Sequence, residues 1–252
     1  MQKVTLTLRE KNRIPIVADS ITPDNFAGLS DRDIEQIPVW HGNSQVFLGD
    51  IFEVVVDGSD NAENVMIEIN GDVSRIKRIG QGMTAGEIII NGNVDMHCGC
   101  TMSGGKITVN GHADNWIGCD MRGGEIEVNG NAKYYVGSGY RGDTTGMTGG
   151  KITINGNVLD FLAEHMSGGE IHVKGDAGLL LGLANNGGTI IVDGDATMAA
   201  GEMKKGLIVI KGTVHEMLPV YREDGTEEFD GETYRKFTGD VNIRGKGTLL
   251  VK

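Results

Sequence analysis

The chain has 252 residues, 40 glycines and only 4 prolines, and its 39% hydrophobic content is enough to build a core. With only 5% aromatic residues, that core must come from Ile, Val, Leu, Met and Ala. The formal net charge of −12 repels phosphate backbones and anionic lipid, so neither nucleic acid nor a membrane is expected as a partner. The longest apolar run, Gly178 to Ala184, falls far short of the roughly 20 residues that cross a bilayer. No signal-peptide stretch opens the chain, and a cytoplasmic protein is expected.

Residues 1–60 do not repeat. KVTLTL reads as a strand, LSDRDIEQI (Leu29 to Ile37) as a short helix capped at Ser30, and Phe47 to Val56 as strands around a turn at Gly49.

From residue 61 the chain repeats itself. MTAGEIIINGNV begins at Met83, MSGGKITVNGHA at Met102, MRGGEIEVNGNA at Met121, MTGGKITINGNV at Met147, MSGGEIHVKGDA at Met166, NNGGTIIVDGDA at Asn185 and MKKGLIVIKGTV at Met203. The starts are 19, 19, 26, 19, 19 and 18 residues apart, and a degenerate copy, IEINGDV, precedes them at Ile67. Each unit carries apolar residues two apart, such as Ile88/Ile90 and Ile126/Val128, which marks a strand with one buried face. Glycines bracket each strand. Gly86, Gly105, Gly124, Gly150, Gly169, Gly188 and Gly206 come before it, and Gly92, Gly111, Gly130, Gly156, Gly175, Gly194 and Gly212 after it.

Strand and corner alternating in about 19 residues predicts an all-β chain, a single-stranded right-handed β-helix of about 7–8 coils stacked roughly 4.8 Å apart. Residues 61–214 form this body, with an N-terminal cap or arm at 1–60 and a C-terminal one at 215–252. The residue before each strand alternates in sign, Glu87, Lys106, Glu125, Lys151, Glu170, as vertical neighbours would require. The Met column (Met83, Met102, Met121, Met147, Met166, Met203) reads as core filler. Asn93, His112, Asn131, Asn157, Asp176 and Asp195 read as turn residues.

Two features break the regularity. Seven extra residues enter within Tyr134 to Gly146, predicting a protruding loop that carries Tyr140, Arg141 and Asp143; it is either an interface or a solvated loop closed by an Arg141–Asp143 pair. A column of His97, Trp116, Tyr135, Phe161, Leu180 and Ala199 lies beside an apolar column of Cys98, Ile117, Val136, Leu162, Leu181 and Ala200. In a regular strand only one column can face the core. The other would form a contact stripe centred on Trp116, Tyr135 and Phe161, unless a corner turns both inward. Residues 215–252 read as irregular, with the acidic stretch REDGTEEFDGE at Arg222.

Catalytic chemistry is hard to assemble. The six histidines are scattered, and no HExxH, GxSxG or phosphate-binding loop occurs. Cys100 and Cys119 fall at the same place in successive units, with Cys98 two residues before. Three cysteines neither make a disulfide framework nor match the spacing of zinc or iron–sulfur sites. No catalytic, cofactor-binding or metal-ligating residue is therefore assigned.

The repeated units, with PDNFAGLS (Pro23 to Ser30), HGNSQVFLGDIFEV (His41 to Val54), KRIGQGMTAGEI (Lys77 to Ile88) and GSGYRGDTTGM (Gly137 to Met147), resemble the GXGXG domain family. That family joins the C-subunit of formylmethanofuran dehydrogenase to the C-terminal domain of the glutamate synthase large subunit, and the resemblance is greater to the first. It covers essentially the whole chain and loosens at Asn185 and Lys205, where the unit's Met and a glycine are replaced. It implies a non-catalytic structural subunit of a complex that reduces carbon dioxide and condenses the product with methanofuran, the first step of methanogenesis from carbon dioxide. A tungsten or molybdenum pterin, iron–sulfur clusters and a binuclear metal site are then expected in amidohydrolase-like, pterin-containing and iron–sulfur partner subunits, with no cofactor in this chain. It further implies an anaerobic setting with Cys98, Cys100 and Cys119 reduced. The alternative is the β-helical domain or subunit of an archaeal glutamate synthase.

Overall fold

The computed structural model describes residues 1–252. The chain is mostly β, as expected, and the strands of successive repeats lie side by side. Val65–Asn70, Glu87–Asn91, Ser103–Val109, Gly123–Val128, Lys151–Ile154, Glu170–Val173, Asn186–Val192 and Lys205–Ile210 pair in parallel, each with the next. Ile88, Ile107, Ile126, Ile152, Ile171, Ile190 and Ile208 stand in one register. They and their partners two residues on are buried, and each such side chain contributes roughly 1.5–3 kcal/mol on burial. A second parallel ladder of single bridges runs Val73–Val94–Ala113–Ala132–Val158–Ala177 on another side of the units. The sign-alternating column is also in register, yet within it only Lys151 and Glu170 pair closely, at 2.8 Å. An exposed pair of that kind contributes little.

Glycine and methionine are complementary in this core. A Cβ on Gly105 (φ 76°) would sit 2.5 Å from the Met83 methyl one unit earlier, so the missing side chain is the methionine's space. The whole Met column is buried. The Asn/His/Asp column does more than tolerate turns, because each side chain accepts the backbone N–H one unit on. His112 N–H donates to Asn93 Oδ1 at 2.9 Å, Asn131 N–H to His112 Nδ1 at 2.9 Å and Asn157 N–H to Asn131 Oδ1 at 2.9 Å. An asparagine ladder absent from the sequence expectations lies nearby, in which Asn91, Asn110, Asn129 and Asn155 each donate a side-chain Nδ2–H to the Oδ1 of the asparagine one unit earlier, starting at Asn70, at 2.7–2.8 Å.

The ends correct two expectations. Phe47 to Val56 is not a pair of strands around Gly49. Leu48–Ile51 forms a helical turn between the strands Ser44–Phe47 and Phe52–Asp57, held by Phe47 N–H donating to Asp50. Nor are residues 215–252 irregular. The acidic stretch forms the strand Arg222–Phe229, antiparallel to Glu232–Gly239, and Gly247–Val251 adds a further parallel rung to Lys205–Ile210. Cross-strand pairs such as Arg235–Glu223 at 3.0 Å let those carboxylates sit in a hairpin.

The expected strand at KVTLTL is Gln2–Leu8, parallel to Val65–Asn70 and antiparallel to Phe52–Asp57. The helix Asp31–Glu35 starts from a Ser30 capping box as its sequence predicts. Buried Gln2 bonds the carbonyls of Phe26 and Leu29 and accepts from Gly28, fastening this segment to the sheet. No helix is long and apolar enough to cross a membrane.

Candidate functional site

The segment that carries the aromatic column is not a regular strand, so the rule that neighbours face opposite ways fails there. Every second residue has positive φ: His97 (64°), Gly99 (64°) and Thr101 (58°), then Trp116 (58°), Gly118 (63°) and Asp120 (53°) one unit on. Their N–H groups bond alternately to the next unit and the previous one, as His97 to Asn115, Gly99 to Ile79 and Thr101 to Cys119 do. Glycine is needed at the middle position of the Trp116 unit, since a Cβ on Gly118 would lie 2.5 Å from Ile152 Cδ1, whereas Ala163 and Ala200 hold the same position in later units at φ 59° and 66°. The outer positions hold side chains in left-handed backbone at a cost of order 1–3 kcal/mol each.

Packing offsets that cost. The rings of His97, Trp116, Tyr135 and Phe161 stack one above another, with centroids 5.4, 4.8 and 5.1 Å apart and planes within 12°. Each such contact contributes about 0.5–1.5 kcal/mol beyond area burial. The apolar neighbours Cys98, Ile117, Val136, Leu162 and Leu181 point into the main core. The stack therefore stands on the side of the body, and the corner that turns both columns inward is not adopted. The column ends at Met198 rather than Ala199, because the last unit is 18 residues long. Met198 has the positive φ of the column (49°), and Ala199 and Ala200 are both buried.

The stripe is not bare, because the inserted loop folds back over it. Tyr140 packs edge-on against His97 and Trp116 at 5.4 and 5.7 Å, and the Arg141 guanidinium lies 5.5 Å over the Trp116 ring. No Arg141–Asp143 salt bridge closes the loop, although the N–H of Asp143 bonds the carbonyl of Tyr140. Tyr140, Arg141 and Asp143 are exposed, Tyr135 and Phe161 half-buried, and Trp116 buried. A cleft of about 240 Å³ lies between loop and stack, reached also by Glu164 and His165. Burial, then the charge of the loop's Asp143, raises the pKa of Asp120.

A small cluster separate from the main core lies beneath: Cys100, Trp116 and Cys119, against Met96 and Tyr135. The expectation of three reduced cysteines is corrected here. Register places the Cys100 and Cys119 Cα atoms 4.6 Å apart and the two sulfurs are joined as a disulfide, while Cys98 is a free thiol in the core. Burial pushes the Cys98 pKa up to about 12. Spacing alone does not join the cysteines to His97, whose Nδ1 lies 3.5 Å from Cys119 Sγ. Burial first, then Arg78 and Lys77, lowers the His97 pKa to about 4, so the ring is neutral at pH 7. Ser138 continues the cysteine column with a different task, donating to the Phe161 carbonyl at 2.7 Å and accepting from Glu164 N–H at 3.0 Å.

No family model matches the chain. The C-subunit of the tungsten-containing formylmethanofuran dehydrogenase 2 of Methanococcus maripaludis is 49% identical over 265 aligned positions, covering 99% of this chain and 96% of that protein. The same-named protein of Methanothermobacter thermautotrophicus is 49% identical over 99 residues, 39% of this chain, and the match spans only 37% of that protein's length. The C-subunit of the molybdenum-containing formylmethanofuran dehydrogenase 1 of Methanosarcina barkeri is 43% identical over 97 residues, or 38% of this chain and 32% of that one. Among solved structures, a chain of the formyltransferase/hydrolase complex of Methylorubrum extorquens, crystallised with methylofuran, superposes with a TM-score of 0.91. It shares 28% identity over 98% of both chains.

Proposed function

The chain belongs to the family of formylmethanofuran dehydrogenase C-subunits, and on that premise we propose that it is a non-catalytic structural subunit of a formylmethanofuran dehydrogenase complex. That complex reduces carbon dioxide and couples the product to methanofuran, the first step of methanogenesis from carbon dioxide. The observation that carries this reading is the end-to-end superposition on one chain of a multi-chain formyltransferase/hydrolase complex. The parallel ladders support a single right-handed β-helix as the body, 61–214, with the segments at 1–60 and 215–252 as caps or partner arms. Antiparallel strands close both ends of the stack, which fits capping of edges that would otherwise pair with other chains.

A tungsten or molybdenum pterin, iron–sulfur clusters and a binuclear metal site belong to the partner subunits in this reading. The donor set here agrees, since three cysteines fall short of the four thiolates that usually hold an iron–sulfur cluster. The side face is the surface offered to partners. Tyr140 and Arg141 supply an exposed ring and a guanidinium above a rigid aromatic base, residue types enriched at interfaces, with Asp143 exposed beside them. The cytoplasm is the matching compartment.

Anaerobic purification of the native protein tests the reading. Copurification with pterin, tungsten or molybdenum, iron–sulfur protein and formylmethanofuran dehydrogenase activity is the expected result. A lone chain that is itself active overturns it.

A further inference from the structure

The donor atoms of His97, Cys100 and Cys119 lie within 4.8 Å of one another, and all three residues are buried. A tetrahedral zinc ion takes thiolate sulfur at about 2.3 Å and imidazole nitrogen at about 2.0–2.1 Å, which sets a nitrogen–sulfur edge of about 3.5 Å. The His97 Nδ1–Cys119 Sγ separation is 3.5 Å. The ring is held in place before any ion arrives, stacked on Trp116 with planes 12° apart and braced edge-on by Tyr140. The two cysteines come from successive units, so the same backbone stacking that brings their Cα atoms to 4.6 Å fixes where both thiols can reach. Once the disulfide is open, side-chain rotation alone would separate the sulfurs to the roughly 3.8 Å edge of such a site.

We propose that the reduced form of this cluster is a metal-binding site, in which Cys100, Cys119 and His97 hold a soft divalent ion of the zinc type and leave a fourth position to water or an outside donor. Disulfide and metal are alternative states of one pair. A dithiol or phosphine reductant supplies two electrons, and with two protons the disulfide becomes two thiols. The ion then displaces those protons to solvent as the thiolates bind. Cys98 takes no part, because its side chain is in the main core. The site does not depend on the structural role proposed above, and it lies beneath the loop and stack assigned there to partners.

The test uses the full-length chain. It is reduced with a phosphine, freed of reductant under nitrogen and titrated with cobalt(II), then with zinc(II). The expected result is uptake of about one equivalent, with thiolate-to-cobalt charge-transfer absorption that zinc abolishes and release of about two protons per ion. The disulfide form, which needs no substitution and so no refolding, should give no such absorption. Cys119→Ser and His97→Ala should lose or cripple uptake, while Cys98→Ala should keep it, with circular dichroism checking that each is folded. Failure of the folded, reduced chain to bind cobalt overturns the proposal. So does uptake that persists in the disulfide form or in Cys119→Ser, which would place the ion on surface histidines and carboxylates.

Discussion

The strand face and the side face are built from the same repeat but follow different rules. On the strand face identical residues recur in register, with Ile over Ile from Ile88 to Ile208 and Met filling the space above a glycine. On the side face each unit places a different residue at the same backbone position: His97, Trp116, Tyr135, Phe161. Uniform columns make the core, whereas the varied column carries strain, a covering loop, a sulfur pair and a cleft. Where a repeat keeps its backbone and changes its side chains, packing alone no longer dictates the residue.

If that division is right, Ile126→Ala should be the most damaging of the simple substitutions, because no neighbour in the ladder can move into the space. A loss of about 2–5 kcal/mol is expected in chemical denaturation. Trp116→Leu, which keeps an apolar side chain in the space, should cost less, about 1–3 kcal/mol from two lost ring stacks, and should free Tyr140 and Arg141, read as faster proteolysis within the loop. A Trp116→Leu loss as large as that of Ile126→Ala would break the comparison by making the side face part of the core. Asn131→Ala removes the acceptor for the Asn157 N–H and is expected to cost about 1 kcal/mol, measured in the same way.

The smallest effect is a pH dependence outside both faces. The N-terminal ammonium, then Asn64 and the Asn61 N–H, lower the Asp60 pKa to about 2. A depressed carboxylate stabilises the fold above its unfolded pKa near 4 and loses that contribution as pH falls through about 2. Asp60→Asn should therefore be less stable than wild type at pH 7 and converge with it in that acid window, as followed by the melting temperature.

The strand ladder was legible because period-two apolar residues and paired glycines mean the same thing in every unit. The side face was only half legible. The aromatic column and the loop could be read off the spacing, and Trp116, Tyr135, Phe161, Tyr140 and Arg141 do come together. The alternating left-handed backbone could not, because His, Trp, Tyr and Phe give no local signal for positive φ. For the same reason His97 was not linked to the cysteines. It sits three residues before Cys100, but the positive φ at His97 and Gly99 turns its ring toward the sulfur one unit away. The hairpin at Arg222 was hidden by charge, since REDGTEEF has no apolar face. Of the two families that the repeat resembles, the full-length relative from Methanococcus maripaludis decides for the first.

The most direct test of the structural role is an experimental map of the whole native complex that resolves every ligand of its metal centres. The account predicts that the pterin metal and the binuclear site are bound entirely by residues of other subunits, with this chain contacting its neighbours through Tyr140, Arg141 and the aromatic side face. A ligand to either catalytic centre contributed by this chain, or a side face left bare to solvent in the assembled complex, would contradict it.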